Sequence, residues 1–200
     1  MIKSLRILAV AAGVLSFASA TQAASCDPGK DGNDLTFKEA QKVYDCIAAD
    51  LHAGYMTGAK RWVPGGYVAD YRNWTPANTL PANPGFHGGR FLLTWVNAVG
   101  AKEYLRYAEE DSNIPAGTVI AKESFAVSEA GKVQKGPLFI MEKVAAGVSP
   151  ETNDWFYMMV ASNGEPQAVP VMPACNECHM GNFGHQGDLG YPDPEVRIGQ

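Results

Sequence analysis

Cys175-Asn176-Glu177-Cys178-His179 is a Cys-x-x-Cys-His run. Two thiols on one turn can each add across a vinyl group of haem to form a thioether. The adjacent imidazole then lies under the iron as its proximal ligand. Two other chemistries use part of this pattern. A zinc ribbon wants a second Cys-x-x-Cys, whereas the remaining cysteines, Cys26 and Cys46, stand singly. A thioredoxin-type redox pair opens a helix after a strand of a βαβ unit, whereas this pair follows the proline-rich stretch of Pro166, Pro170 and Pro173. The spacing favours a single covalent haem c, with Cys175 and Cys178 as attachment points and His179 as the metal ligand.

The opposite face of such an iron has no obvious ligand. His179 is followed by 21 residues, a short tail for a downstream methionine, and Met180 sits beside the proximal ligand. Met141, Met158, Met159 and Met172 lie upstream, where methionine usually fills core gaps. His52 falls on a helical pattern, His87 in a glycine-rich loop, and His185 six residues past His179; all three read as surface or structural histidines. The sequence therefore predicts a five-coordinate or water-bound iron, suited to small-ligand chemistry more than to pure electron carriage.

The N-terminus bears on compartment. Lys3 and Arg6 form a positive region, Ile7 to Phe17 an apolar run of eleven residues, and Ala18-Ser19-Ala20 an A-x-A cleavage pattern. Eleven residues fall short of the ~20 that span a bilayer. Residues 1–20 thus read as a signal peptide, with cleavage as late as residue 24 an alternative, and the expected location is the periplasm. An uncleaved anchor is the competing reading. Removing residues 1–20 leaves 180, enough for one domain over residues 25–200, and takes the formal charge from −5 to −7. No Lys/Arg cluster remains to follow a phosphate backbone, so nucleic acid is not an expected partner. Cys26 and Cys46 are left over after haem attachment, and an oxidising compartment would allow them to pair.

The elements that must position these residues read as one helix, then mostly strands, then the haem segment: an α+β, β-rich domain. Thr36-Phe37-Lys38-Glu39 is a capping box, and Ala40, Val43, Tyr44, Ile47 and Leu51 follow at helical spacing, with Gly54 as the expected stop. Residues 63–89 are rich in Pro, Gly and Asn and read as loop, anchored by Tyr71 and Trp74. Phe91 to Val96 reads as a strand, 98–110 as a short helix, and Trp155 to Ala161 as a further strand closed by Asn163-Gly164. Thr118 to Ser128 and Lys132 to Val144 flank the turn Glu129-Ala130-Gly131 as a hairpin.

Alternate residues of a strand face opposite ways. Ile120, Lys122 and Ser124 therefore share one face of that hairpin, and Ala121, Glu123 and Phe125 the other, each face apolar around one charge. On spacing alone Lys122 reads as an edge or snorkelling lysine.

Five short pieces, in order, change that reading: Tyr71-Arg72-Asn73-Trp74, Thr94-Trp95-Val96-Asn97, Gly117 to Glu123, Asp154-Trp155-Phe156-Tyr157, and Cys175 to His179. On these pieces, over roughly residues 65–180, the chain resembles the cytochrome P460 family, whose relatives include the cytochromes c′-β. The resemblance implies an antiparallel sheet packed against haem, a homodimer, and a lysine, here Lys122, bonded to the macrocycle. It also implies oxidation of hydroxylamine or nitric oxide with electrons passed to a partner cytochrome, or binding of nitric oxide or carbon monoxide without turnover. Glu142, Asp154 and Arg90 lie in or beside the matching strands, but no motif match places them above the iron and they read as solvated strand ends; Phe86 and Phe91 are candidates for an apolar lid.

Overall fold

The computed structural model describes residues 25–58, 62–83, 85–168 and 173–199. The signal-peptide pattern, Pro170 and Met172 lie outside them. Helix α1 (Phe37–Met56) begins at the expected capping box: Thr36 Oγ1 accepts from the Glu39 N–H at 3.3 Å, and the Thr36 N–H donates to Glu39 Oε2 at 2.9 Å. Ala40, Val43, Ile47, Leu51 and Tyr55 form its buried stripe. The Cys26–Cys46 disulfide, with Cα atoms 5.7 Å apart, ties the preceding segment to this helix. Gly54 does not stop α1, which runs two residues further. A Cβ there would stand 2.0 Å from the Ser162 carbonyl oxygen, so glycine serves close packing.

Seven antiparallel strands follow among the described residues: β1 (Thr75–Pro76), β2 (Phe91–Val96), β3 (Val119–Val127), β4 (Val133–Lys135), β5 (Leu138–Lys143), β6 (Trp155–Val160) and β7 (Pro166–Ala168). They form one sheet in the order β1-β2-β3-β5-β6-β7, with β4 paired to the far end of β3. With helices α2 (Gly65–Asp70), α3 (Ala101–Tyr104) and α4 (Pro173–Phe183) the domain is α+β. The hairpin exists, but its second strand is cut into β4 and β5 at Gly136-Pro137. Proline has no N–H for the ladder, and the Gly136 carbonyl accepts instead from Tyr55 Oη at 2.8 Å. Two expectations are corrected. Residues 63–89 are not all loop, since α2 forms there with Val68 buried. The helix expected over 98–110 is only the four residues of α3.

The sheet is covered on both faces. Val119, Ala121, Leu138, Ile140 and Val160 pack against Leu51 and Tyr55 of α1, and Phe91 and Phe125 against Val43 and Ile47. The other face carries Val96, Ile120, Met141, Trp155 and Tyr157, packed with Tyr104, Tyr107 and Leu189. Burying each such side chain contributes about 1.5–3 kcal/mol. Because β3 lies between β2 and β5, Lys122 is no edge lysine. At 6% exposure it does not snorkel either.

Candidate functional site

Strand register sets one wall of the site. Thr94, Lys122, Phe139 and Met159 stand side by side across β2, β3, β5 and β6, and Val96, Ile120, Met141 and Tyr157 form the next row. Helix α4 lies across these rows. Pro173 stands at its first turn, where a missing N–H costs nothing. Within the Cys-x-x-Cys-His run, Asn176 Nδ2 donates to the Glu151 carbonyl at 3.0 Å and moors the helix to the turn before β6.

Between sheet and helix is a cavity of about 250 Å³. Lys122, Phe139 and Tyr157 line it from the sheet, Cys175, Cys178 and His179 from α4, and Phe86 and His87 from the loop before β2. A smaller hollow of about 60 Å³ shares Phe86, His87, Lys122 and Phe183 as walls. Cys175 is half-buried and Cys178 is exposed at the rim.

The segment after α4 holds His179 and Lys122 through its backbone carbonyls. A left-handed Gly187 (φ 72°) turns the chain back, and the Asp188 carbonyl accepts from His179 Nδ1 at 2.7 Å. A carbonyl only accepts, so Nδ1 carries the proton and Nε2 is the ring nitrogen left for a ligand. Two residues on, the Gly190 carbonyl accepts from Lys122 Nζ at 2.6 Å and from Tyr104 Oη at 3.2 Å. A Cβ at position 190 would stand 3.2 Å from the Phe183 ring and 3.4 Å from Lys122 Nζ, so glycine permits this approach. The sequence reading missed 188–190. Its Asp-Leu-Gly carries no motif, because the backbone, not the side chains, makes the contacts.

Burial sets the protonation states. It lowers the His179 pKa to about 4, with Lys122 nearby adding to the effect. Burial likewise lowers His87 to about 3, with Lys122, His179 and Arg90 assisting. Both imidazoles are neutral at pH 7, the form that coordinates metals. Burial alone brings Lys122 down to about 8, so a fraction of its amine is uncharged near neutrality.

The remaining candidates are sorted by geometry. His87 is neither a surface nor a distant structural histidine: its ring lies 4.4 Å from Phe139 and 6.2 Å from His179, centroid to centroid. Phe86 lines the cavity as expected for a lid, but Phe91 faces α1. Glu142 shares the α1 face with Glu123 and is removed from the site. Asp154 is spent on the N–H groups of Gly147 and Ser149, at 3.0 and 2.9 Å. Arg90 Nη1 is buried near Gly136. His52 packs on Tyr71, on the α1 side, and His185 is exposed. Met141, Met158 and Met159 border the cavity, the first two as core residues. Among the described residues, none of those lining the main cavity is a carboxylate. Asp193, beside the smaller hollow, has its Oδ1 occupied by the Glu195 N–H.

Among the described residues no group of three or more His, Cys, Asp and Glu side chains is placed to hold a metal ion. A haem iron needs no such cluster, because the macrocycle supplies the equatorial nitrogens. Two thiols, one oriented imidazole, an apolar wall, and the buried, unpartnered Tyr157 hydroxyl fit that group. Scans against protein-family models and against curated proteins return no match to this chain.

Proposed function

We propose that this is an exported c-type haem protein of the cytochrome P460 kind, acting on hydroxylamine or nitric oxide and passing electrons to another cytochrome. Cys175 and Cys178 would hold the haem through thioethers, and His179 Nε2 would ligate its iron. The observation that carries the reading is the meeting of Lys122 with Cys175, Cys178 and His179 around one apolar cavity. Haem so held would supply a redox-active iron to the cavity.

The chain's own residues then have definite tasks. The Asp188 carbonyl fixes the tautomer and direction of His179. Phe139, Met141, Phe86 and Phe183 exclude water. Lys122 presents a partly neutral amine to the cavity, the form that would bond to a macrocycle carbon if a two-electron oxidant such as peroxide took up the hydrogen pair. Exposed Cys178 and Met180, the latter 47% exposed, mark the rim where a redox partner would approach. Assembly as a homodimer belongs to the same proposal.

The carboxylate-free wall favours a second reading, binding of nitric oxide or carbon monoxide without turnover, since removing protons from hydroxylamine calls for a base. One experiment separates them. Ferric protein is mixed anaerobically with hydroxylamine and an electron acceptor, and separately reduced and titrated with nitric oxide. Catalytic reduction of the acceptor supports the oxidase, and a gas-induced spectral change without turnover supports the binder. No response to either ligand contradicts both.

A further inference from the structure

On the reading that haem is bound here, we infer that His87 is the second axial ligand of the iron, a displaceable imidazole opposite His179. The distance between the two rings carries the inference. A metal–imidazole bond is about 2 Å long, by analogy with zinc. A ring nitrogen lies roughly 1 Å from its ring centre, so two imidazoles on opposite sides of one metal ion have centroids roughly 6 Å apart. The His87 and His179 centroids are 6.2 Å apart. A distal histidine that hydrogen-bonded to an iron-bound diatomic or water would stand further off, at roughly 8 Å or more. The observed gap accommodates one metal ion and its two bonds, with no room for a bound small molecule as well.

The surroundings suit a ligand. Both rings line the same cavity. His87 Nδ1 is buried without a hydrogen-bond partner, whereas buried polar atoms are nearly always paired. The loop is built to push this ring inward. His87 itself is left-handed (φ 55°), between left-handed Gly85, Gly88 and Gly89. Asn83 closes the loop by donating through Nδ2 to the Gly89 carbonyl at 2.9 Å and accepting at Oδ1 from the Gly85 N–H at 2.9 Å. A non-glycine residue held left-handed costs about 1–2 kcal/mol, which the Asn83 bonds and the contact with Phe139 must offset. This assignment departs from the five-coordinate iron expected from the sequence. An incoming gas must displace His87 first.

The test uses the full haem-loaded protein. Pyridine haemochrome on the denatured chain reports covalent haem, independently of His87. Electron paramagnetic resonance of the ferric wild type should then show low-spin, bis-imidazole iron. H87A and H87F should be high-spin with covalent haem retained, and added imidazole should return H87A to low spin. Carbon monoxide binding to ferrous wild type should level off at a rate set by His87 departure. In H87A it should rise in proportion to gas concentration and exceed the wild-type rate at least tenfold. Absence of haem overturns this inference together with the reading beneath it. Covalent haem in a wild type that is already high-spin and kinetically equal to H87A overturns the inference alone.

Discussion

Replacing Arg72 by methionine should destabilise the protein more than replacing its partner Glu123 by leucine, and replacing both should cost less than either replacement alone. Glu123 is 1% exposed on the α1 face of β3. Its Oε1 accepts from Arg72 Nε at 2.5 Å and from the Tyr71 hydroxyl, while Oε2 is buried without a partner. Burial, then Glu123, raise the Tyr71 pKa well beyond the ordinary tyrosine range, so that hydroxyl stays a donor. Removing Arg72 leaves a buried carboxylate with only the neutral hydroxyls of Tyr71 and Tyr44 beside it, a loss of about 3–5 kcal/mol. Removing Glu123 leaves a guanidinium that is 26% exposed and still donates from Nη2 to the Ala48 carbonyl at 2.8 Å. Water can reach it, and the loss should be about 1–3 kcal/mol. In R72M/E123L no charge is stranded, and exchanging a buried pair for apolar side chains is often neutral. Urea denaturation at equal haem content is the assay. With a slope of about 2 kcal/mol per molar, R72M should move the midpoint down by roughly 2 M. If the double variant loses the sum of the two single losses, the pair is not coupled and the reasoning fails.

Other outcomes follow from the same contacts. Removing the disulfide in C26A/C46A should cost about 3 kcal/mol for a closure spanning 20 positions; an unchanged denaturation midpoint would contradict it. The ion pair with Lys30, then the Thr36 contacts, hold the Glu39 pKa at about 2, below its ordinary 4.5. Its contribution is complete above pH 4.5 and lost as pH falls through about 2. E39Q should therefore be less stable than wild type at pH 7 and equal to it near pH 2, and a gap that persists in acid would count against the capping box. K122L should retain covalent haem but show an ordinary c-type spectrum where the wild type shows a P460-type one. A wild-type mass equal to polypeptide plus haem, without loss of the hydrogen pair that a carbon–nitrogen bond removes, would argue against the cross-link.

The legible parts of the fold were those encoded locally. Thr36 and Glu39 announce α1 because a cap needs only four residues, and β2 is bounded as its composition suggests. The alternation along β3 correctly divided Lys122 from Glu123, but not their burial, since flanking strands decide that. Helix α2 was hidden because Gly65 and Gly66 are poor helix formers, and packing of Val68 and Tyr71 overrides them. At the site, the Cys-x-x-Cys-His run was explicit. His87 was not, since a histidine among glycines signals a bend without saying where the bend points. The available clue was the glycine-rich run Gly85 to Gly89, left-handed at Gly85, His87, Gly88 and Gly89, in which the His87 ring lies 6.2 Å from that of His179.

The central claim, haem joined through Cys175 and Cys178, is tested most directly by acid–organic extraction of protein exported together with a c-type maturation system, followed by intact mass. The account predicts that the extract stays colourless and that the chain carries the added mass of one haem. It also predicts that this mass disappears in C175A/C178A. Free haem in the extract, or a chain whose mass is that of polypeptide alone, would contradict it.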